Sequence, residues 1–200
     1  ARKLAETVME RANATEQINE SNVLWFPCVF IFHIIIFTLR GKRWYLNVPP
    51  TLKRPKMVTL TACQQKAIAL VTNGENIFIT GPAGTGKSFL IHYLCSVVLP
   101  KRNKTFTLTA TTGIAAVLIK GHTLYSALGV GILDRPVEYY VKRLSNTYRR
   151  HPALTAWQCD VLIIDEISML SEESFHKLNL IGQGVRRCEK PFGGMQVVLS

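Results

Sequence analysis

Asn76 to Leu99 reads NIFIT, then GPAGTGKS, then FLIHYLCSVVL, and the residue chemistry of that stretch orders it as strand, glycine loop and helix. Ile77, Phe78 and Ile79 are a short apolar run of β-favouring residues, as expected for a buried parallel strand. Gly81-Pro82-Ala83-Gly84-Thr85-Gly86-Lys87-Ser88 fits G-x-x-x-x-G-K-[ST], the phosphate-binding loop. Its glycines let the backbone curl until successive N–H groups point inward, and the helix that follows adds its unpaired N–H groups and positive dipole end. Lys87 is suited to the β- and γ-phosphates of a nucleoside triphosphate, and the Ser88 hydroxyl to Mg²⁺. Phe89, Leu90, Ile91, Leu94, Val97 and Val98 make the helix apolar on most faces, and Pro100 is expected to stop it.

A second stretch supplies carboxylates. Val161-Leu162-Ile163-Ile164-Asp165-Glu166 is a buried strand with two acids at its carboxyl end, where ligands bind in open α/β sheets. Asp165 is placed to hold Mg²⁺ opposite Ser88, and Glu166 to orient and deprotonate an attacking water. Upstream, Leu60 to about Thr72 reads as a helix stopped by Gly74. Thr61 and Gln64 match a capping box. Gln64 also lies just ahead of the phosphate loop, where it can hydrogen-bond the adenine base; the two duties are compatible, and spacing alone favours the cap.

Between these blocks, Phe106, Leu108 and Ala110 alternate with threonines as a further strand. It leads into Thr111-Thr112-Gly113 and a short helix from Ile114 to Ile119. A strand ending in Thr-Thr-Gly before a helix suits a phosphate backbone. Gly121 to Ser126 reads as a turn. Residues 129–157 carry Gly129, Gly131 and Pro136, then Lys142, Arg143, Arg149, Arg150 and His151, and read as a surface excursion that Trp157 anchors on its return. Ser171 to Gly182 reads as a helix, Pro191 to Gly194 as a turn, and Met195 to Leu199 as a last strand.

The chain has 200 residues, 48% of them hydrophobic, and a formal net charge of +11, enough for one domain plus an extension. From Arg40 to Lys104 there are eleven Lys or Arg and a single acid, Glu75. That imbalance fits a polyanionic partner or an ordinary basic surface. Five scattered cysteines, with no C-x-x-C and no zinc spacing, point to free thiols in a reducing compartment.

Residues 1–56 read as an N-terminal extension and 57–200 as the nucleotide-binding domain. Within the extension, Val23 to Leu39 runs seventeen residues without a charge, followed by Arg40, Lys42 and Arg43. Three readings stand: a membrane anchor, a buried strand or helix of an N-terminal element, or an anomalous segment. Leu46 to Lys56 is a basic, proline-rich linker.

Taken in order, LTACQQKAI, GPAGTGKS, TATTGIAA with GHTLYSALGVG, AWQCDVLIIDEISML and KPFGGMQVVLS closely resemble the Pif-one-like (petite integration frequency) DNA helicases over about residues 58–200. The resemblance implies an α/β, RecA-like fold with a mostly parallel sheet flanked by helices. It also implies ATP and Mg²⁺ dependence, 5′-to-3′ translocation on single-stranded DNA, and work in genome maintenance in the nucleus or mitochondrion. Carried over residue by residue, Gln64 contacts adenine, Gly81 to Ser88 hold the triphosphate, Ser88 and Asp165 hold the metal, and Lys87, Asp165 and Glu166 serve hydrolysis. Thr111, Thr112, Gly113, Thr123 and Tyr125 fall in the DNA-gripping blocks. Tyr125 stands where the family has His; tyrosine can still stack on a base. Past the point where this sequence stops, the family continues with a γ-phosphate-sensing loop and a second RecA-like lobe that supplies an arginine finger. The alternatives are a helicase remnant that binds nucleotide or DNA without turnover, or an unrelated phosphate-loop enzyme, against which the TATTGIAA and PFGGMQVVLS blocks speak.

Overall fold

The computed structural model describes residues 60–147 and 151–200, and the backbone of His33–Phe37. In chain order the strands are β1 (His33–Phe37), β2 (Asn76–Thr80), β3 (Phe106–Ala110), β4 (His122–Thr123), β5 (Val161–Asp165) and β6 (Gln196–Leu199). They form one sheet in the order β1-β2-β6-β5-β3-β4. All neighbours pair in parallel except β1, which runs antiparallel to β2 with His33 opposite Thr80 and Phe37 opposite Asn76. The helices are α1 (Ala62–Asn73), α2 (Lys87–Tyr93), α3 (Leu99–Lys101), α4 (Gly113–Leu118), α5 (Leu124–Ala127), α6 (Val137–Ser145), α7 (Pro152–Trp157) and α8 (Glu172–Arg186).

The sheet is buried on both faces, which explains why its central strands are continuous apolar runs rather than alternating ones. All five residues of β5 are buried. Val161 and Ile163 face one core with Ile77, Ile79, Leu90, Leu94 and Val198. Leu162 and Ile164 face the other with Leu128, Trp157, Leu178, Ile181 and Val197. At the amino-terminal edge of the sheet the strands are pinned by buried polar groups. Asp160 Oδ2 accepts from the Thr105 N–H at 2.9 Å and the Thr105 hydroxyl at 2.8 Å. Gln196 Nε2 donates to the carbonyls of Val71 and Glu75.

Several local expectations change. The apolar helix does not stop at Pro100: α2 passes through a π-helical turn, Leu94–Val98, into α3. A proline ring clashes with the carbonyl four residues back, here Ser96. The wider turn, in which the Leu99 N–H reaches the Leu94 carbonyl, opens room for it. Gly121 to Ser126 is not a simple turn but β4 followed by α5. Residues 129–157 are more than a surface excursion. They contain α6 and α7, which bury Tyr140, Leu144, Ala153, Leu154 and Trp157. The basic residues Lys142 and Arg143 occupy the outer side of α6, so mean composition hid an amphipathic helix; Arg149 and Arg150 lie outside the described residues. Helix α8 runs past Gly182 to Arg186.

Of the apolar segment 23–39, His33–Phe37 is a strand, and the remainder lies outside the described residues. Among the described residues no helix is long and apolar enough to cross a membrane.

Trp157 is fully buried and donates its Nε1–H to the Leu128 carbonyl at 3.0 Å. Trp157→Ala should cost about 3–5 kcal/mol, read as a lower urea midpoint with an unchanged slope.

Cys63, Cys95, Cys159 and Cys188 are free thiols. Burial pushes the Cys95 thiol up from 9.0 to about 12. It pushes Cys159 up from 9.0 to about 11, against opposing pulls from Thr107 and Arg186. Both folded values lie above the unfolded one, so their stabilising contribution is complete below pH 9 and is lost as pH rises toward the folded values. The stability difference between the wild type and Cys95→Ala, measured by urea unfolding from pH 8 upward, should therefore shift against the wild type above pH 9.

Candidate nucleotide-binding site

The parallel strands deliver their carboxyl ends to one edge of the sheet, and the chemistry-bearing residues follow those ends. The phosphate loop leaves β2, Thr111 leaves β3, Asp165 closes β5 and Ser200 follows β6. Strand β6 lies between β2 and β5, with Phe78 and Ile164 both level with Leu199. The loop and the carboxylates therefore flank the end of one intervening strand.

Within the loop, Lys87 Nζ donates to the Gly81 carbonyl at 2.8 Å and the Pro82 carbonyl at 3.2 Å. The Thr85 hydroxyl donates to Pro82 as well, at 2.7 Å. Lysine and threonine thus brace the loop from inside and fix its curl. Gly86 has φ +84° and opens α2, a backbone that side chains rarely adopt. Ser88 stands exposed in the first turn of α2.

Gln64 does two things at once. Its Oε1 accepts from the Thr61 N–H at 3.0 Å, and the Thr61 hydroxyl accepts from the Gln64 N–H at 3.3 Å. This is the reciprocal capping box. Its Nε2 is aimed at the phosphate loop, 3.1 Å from where a Cβ on Gly86 would sit. The cap fixes one end of the amide and leaves the donor end facing the loop, so a buried side chain (6% exposed) is positioned by its own helix.

Asp165 is buried, and its Oδ1 accepts from the Glu166 N–H at 3.1 Å. Glu166 itself is exposed and adopts a left-handed backbone, φ 57° and ψ 42°. Its carbonyl accepts from the Thr111 hydroxyl at 2.7 Å, and the Asp165 carbonyl from the Thr111 N–H at 3.2 Å. The sequence offered no sign of this link, because the partners are 55 residues apart and meet only through the β3–β5 register.

The donor set fits Mg²⁺. One carboxylate and one hydroxyl, both hard oxygen ligands, are what that ion takes from protein when phosphates and waters complete its shell. Among the described residues no group of three or more His, Cys, Asp or Glu could hold a metal on its own.

The residues expected at DNA are distributed differently. Thr112 caps α4 by accepting from the Ala115 N–H at 3.2 Å, and Gly113 is exposed. Thr123 is half-buried at the start of α5. Tyr125 is half-buried and packs against the core that holds Trp157, so much of its ring faces inward. Ile114, Val117 and Leu118 on α4 are 79%, 77% and 73% exposed, an apolar face that helical periodicity alone did not reveal.

With a RecA-like, mostly parallel sheet, a phosphate loop and a carboxylate pair on one edge, the chain has the framework of a nucleotide-binding domain. Residues 59–200 match the PIF1-like helicase family, and the chain belongs to it. It is 40% identical over 159 residues to the ATP-dependent DNA helicase PIF1 of Danio rerio, an alignment covering 79% of this chain and 24% of the relative. The crystal structure of the Pif1 helicase from Candida albicans superposes with a TM-score of 0.65 at 40% identity, covering 72% of this chain and 32% of that one. The structure of Bacteroides Pif1 bound to ssDNA is 33% identical, with a TM-score of 0.53, covering 71% of this chain and 32% of that one. The chain therefore spans about a quarter to a third of the length of these relatives.

Gln64→Glu separates the two duties of that residue. A glutamate keeps the acceptor that closes the capping box but lacks the amide donor. Burying a carboxylate at this 6% exposed position should lower the thermal midpoint. ATP affinity by equilibrium titration should fall about tenfold or more, from the lost donor and from the added negative charge beside the phosphate loop. Unchanged affinity would leave Gln64 as a helix cap only.

Proposed function

We propose that this chain is the nucleotide-hydrolysing lobe of an ATP-dependent, 5′-to-3′ DNA helicase. The observation that carries the reading is the arrangement of Lys87, Ser88, Asp165 and Glu166 on one edge of a single, mostly parallel sheet, in a chain of the PIF1-like family.

The backbone of Gly81 to Gly86 cradles the phosphates, and Lys87 exchanges its two loop carbonyls for phosphate oxygens. Ser88 and Asp165 hold Mg²⁺, which when bound neutralises charge on the β- and γ-phosphates. Glu166, exposed beside Asp165, orients the attacking water and accepts its proton. Gln64 faces the base. Thr112 and Gly113, together with Thr123 and Tyr125, offer a contact to the single-stranded DNA backbone. The basic balance of the chain supports a polyanionic partner. Strand translocation needs a second lobe that opens and closes against this one. The setting is genome maintenance, spanning repair, recombination and telomere upkeep, in the nucleus or the mitochondrion.

The test is ATP hydrolysis with and without single-stranded DNA, for the wild type, Lys87→Ala and Glu166→Gln. DNA should raise the wild-type rate. Glu166→Gln should bind ATP yet lose on the order of 10²- to 10⁴-fold in kcat, whereas Lys87→Ala should fail at triphosphate binding. This lobe alone should bind ATP and turn it over at most very slowly; tight ATP binding without turnover in the presence of both DNA and the second lobe would instead mark a binding remnant.

A further inference from the structure

Glu166 is a non-glycine residue in the left-handed region, φ 57° and ψ 42°, a conformation that persists only when its surroundings impose it. Four hydrogen bonds do so. The Glu166 N–H donates to Asp165 Oδ1 at 3.1 Å. The Glu166 carbonyl accepts from the Met169 N–H at 3.1 Å, and the next residue, Ile167, donates its N–H to the Ser200 carbonyl at 2.8 Å. The shortest is the fourth, from the Thr111 hydroxyl to the Glu166 carbonyl at 2.7 Å. It is also the only one of the four made by a side chain that follows another strand, β3.

Thr111 is fixed to the carboxylate pair twice. Its N–H donates to the Asp165 carbonyl at 3.2 Å, extending the β3–β5 ladder one step beyond Ala110 opposite Asp165. Its hydroxyl then reaches one residue further. A threonine hydroxyl has a single proton. Given to Glu166, that proton is not available to a phosphate oxygen, which only accepts. Thr112 differs: its oxygen accepts the Ala115 N–H, and its proton remains for an outside acceptor. The two adjacent threonines therefore divide the work, one turned to the hydrolytic base and one to the exposed turn.

We infer that Thr111 is a positioning residue for Glu166, tying the Thr112-Gly113 turn to the hydrolytic base, and is not itself a DNA contact. The inference rests on the reading of Glu166 as the base. A shift of the turn on binding a phosphate backbone moves Thr111, and through its two bonds the peptide that aims the Glu166 carboxylate.

Thr111→Val tests it, since valine keeps the β-branched shape and removes only the hydroxyl; Thr111→Ser keeps the hydroxyl. Two measurements are made on all three proteins: steady-state ATP hydrolysis against ATP and single-stranded DNA, and the NMR amide and carbon shifts of Glu166 and Ile167. For Thr111→Val, kcat at saturating DNA should fall on the order of 10- to 100-fold. The KM for ATP and the Kd for DNA should stay within about twofold. Thr111→Ser should restore kcat, and the Glu166 shifts should leave their left-handed values in the valine protein alone. A weakened DNA Kd with unchanged kcat at saturation would make Thr111 a phosphate contact and overturn the inference, as would unchanged kinetics. If the wild type alone does not hydrolyse ATP, the kinetic arm is run with the second lobe present, and absence of turnover there makes the reading of the site fail separately. The shifts then decide the positioning, and Glu166 shifts unmoved by Thr111→Val overturn it.

Discussion

Strand β5 has no solvent face. Val161 and Ile163 are buried in one core and Leu162 and Ile164 in the other, so the strand can carry charge only at its ends. The rest of the architecture follows from that restriction. Two layers of helices must cover the sheet, the connections must cross over, and the strand must deliver its acids to the edge where the crossovers begin. A charged residue one step earlier would sit between two helix layers with no water and no partner, which is costly. Asp165 marks the boundary: still buried, but already hydrogen-bonded to the peptide that turns the chain.

The two edges of the sheet treat their polar groups in opposite ways. At the amino-terminal edge, Asp160 is closed off by the backbone and hydroxyl of Thr105 and by Lys104 at 3.5 Å. Asn76 Oδ1 accepts the Val197 N–H at 2.7 Å. These bonds fix strand register and leave little to offer a ligand. At the carboxyl edge, Ser88 and Glu166 stay exposed, and Lys87 is held by loop carbonyls that a stronger acceptor can displace. Rigidity at one edge is what lets the other hold its groups ready.

Much of this was legible in the sequence because it is local. The glycine loop, the Thr61–Gln64 cap and the VLIID run each announce themselves within a few residues, and each appears where expected. What was not legible depends on residues far apart. The core role of α6 and α7 was masked by the basic outer side of α6. The π turn before Pro100 answers a steric clash that propensity rules treat as a stop. The link between Thr111 and Glu166 exists only once β3 lies beside β5. Thr111 shows the limit most clearly: its place in a block associated with DNA suggested one duty, while its hydroxyl has another partner.

One of the blocks that carry the family resemblance, Pro191 to Gly194, has a structural purpose. Phe192 packs edge-on against Phe175, with ring centroids 5.1 Å apart, and its N–H donates to Asn179 Oδ1 at 2.7 Å. Gly193 has φ +65°, and a Cβ there would lie 2.5 Å from the Gly182 carbonyl and 2.6 Å from Arg186. Arg186 needs that closeness. It donates to the carbonyls of Gly193, Trp157 and Cys159, joining the end of α8 to the end of α7 and to the entry of β6. The half-buried guanidinium, with its fork of fixed donors, holds together segments that approach β5 and β6 from different parts of the chain. The turn thus sets where β6 enters the sheet, and β6 in turn separates the phosphate loop from the carboxylates. This turn thereby fixes the spacing between the two halves of the candidate site.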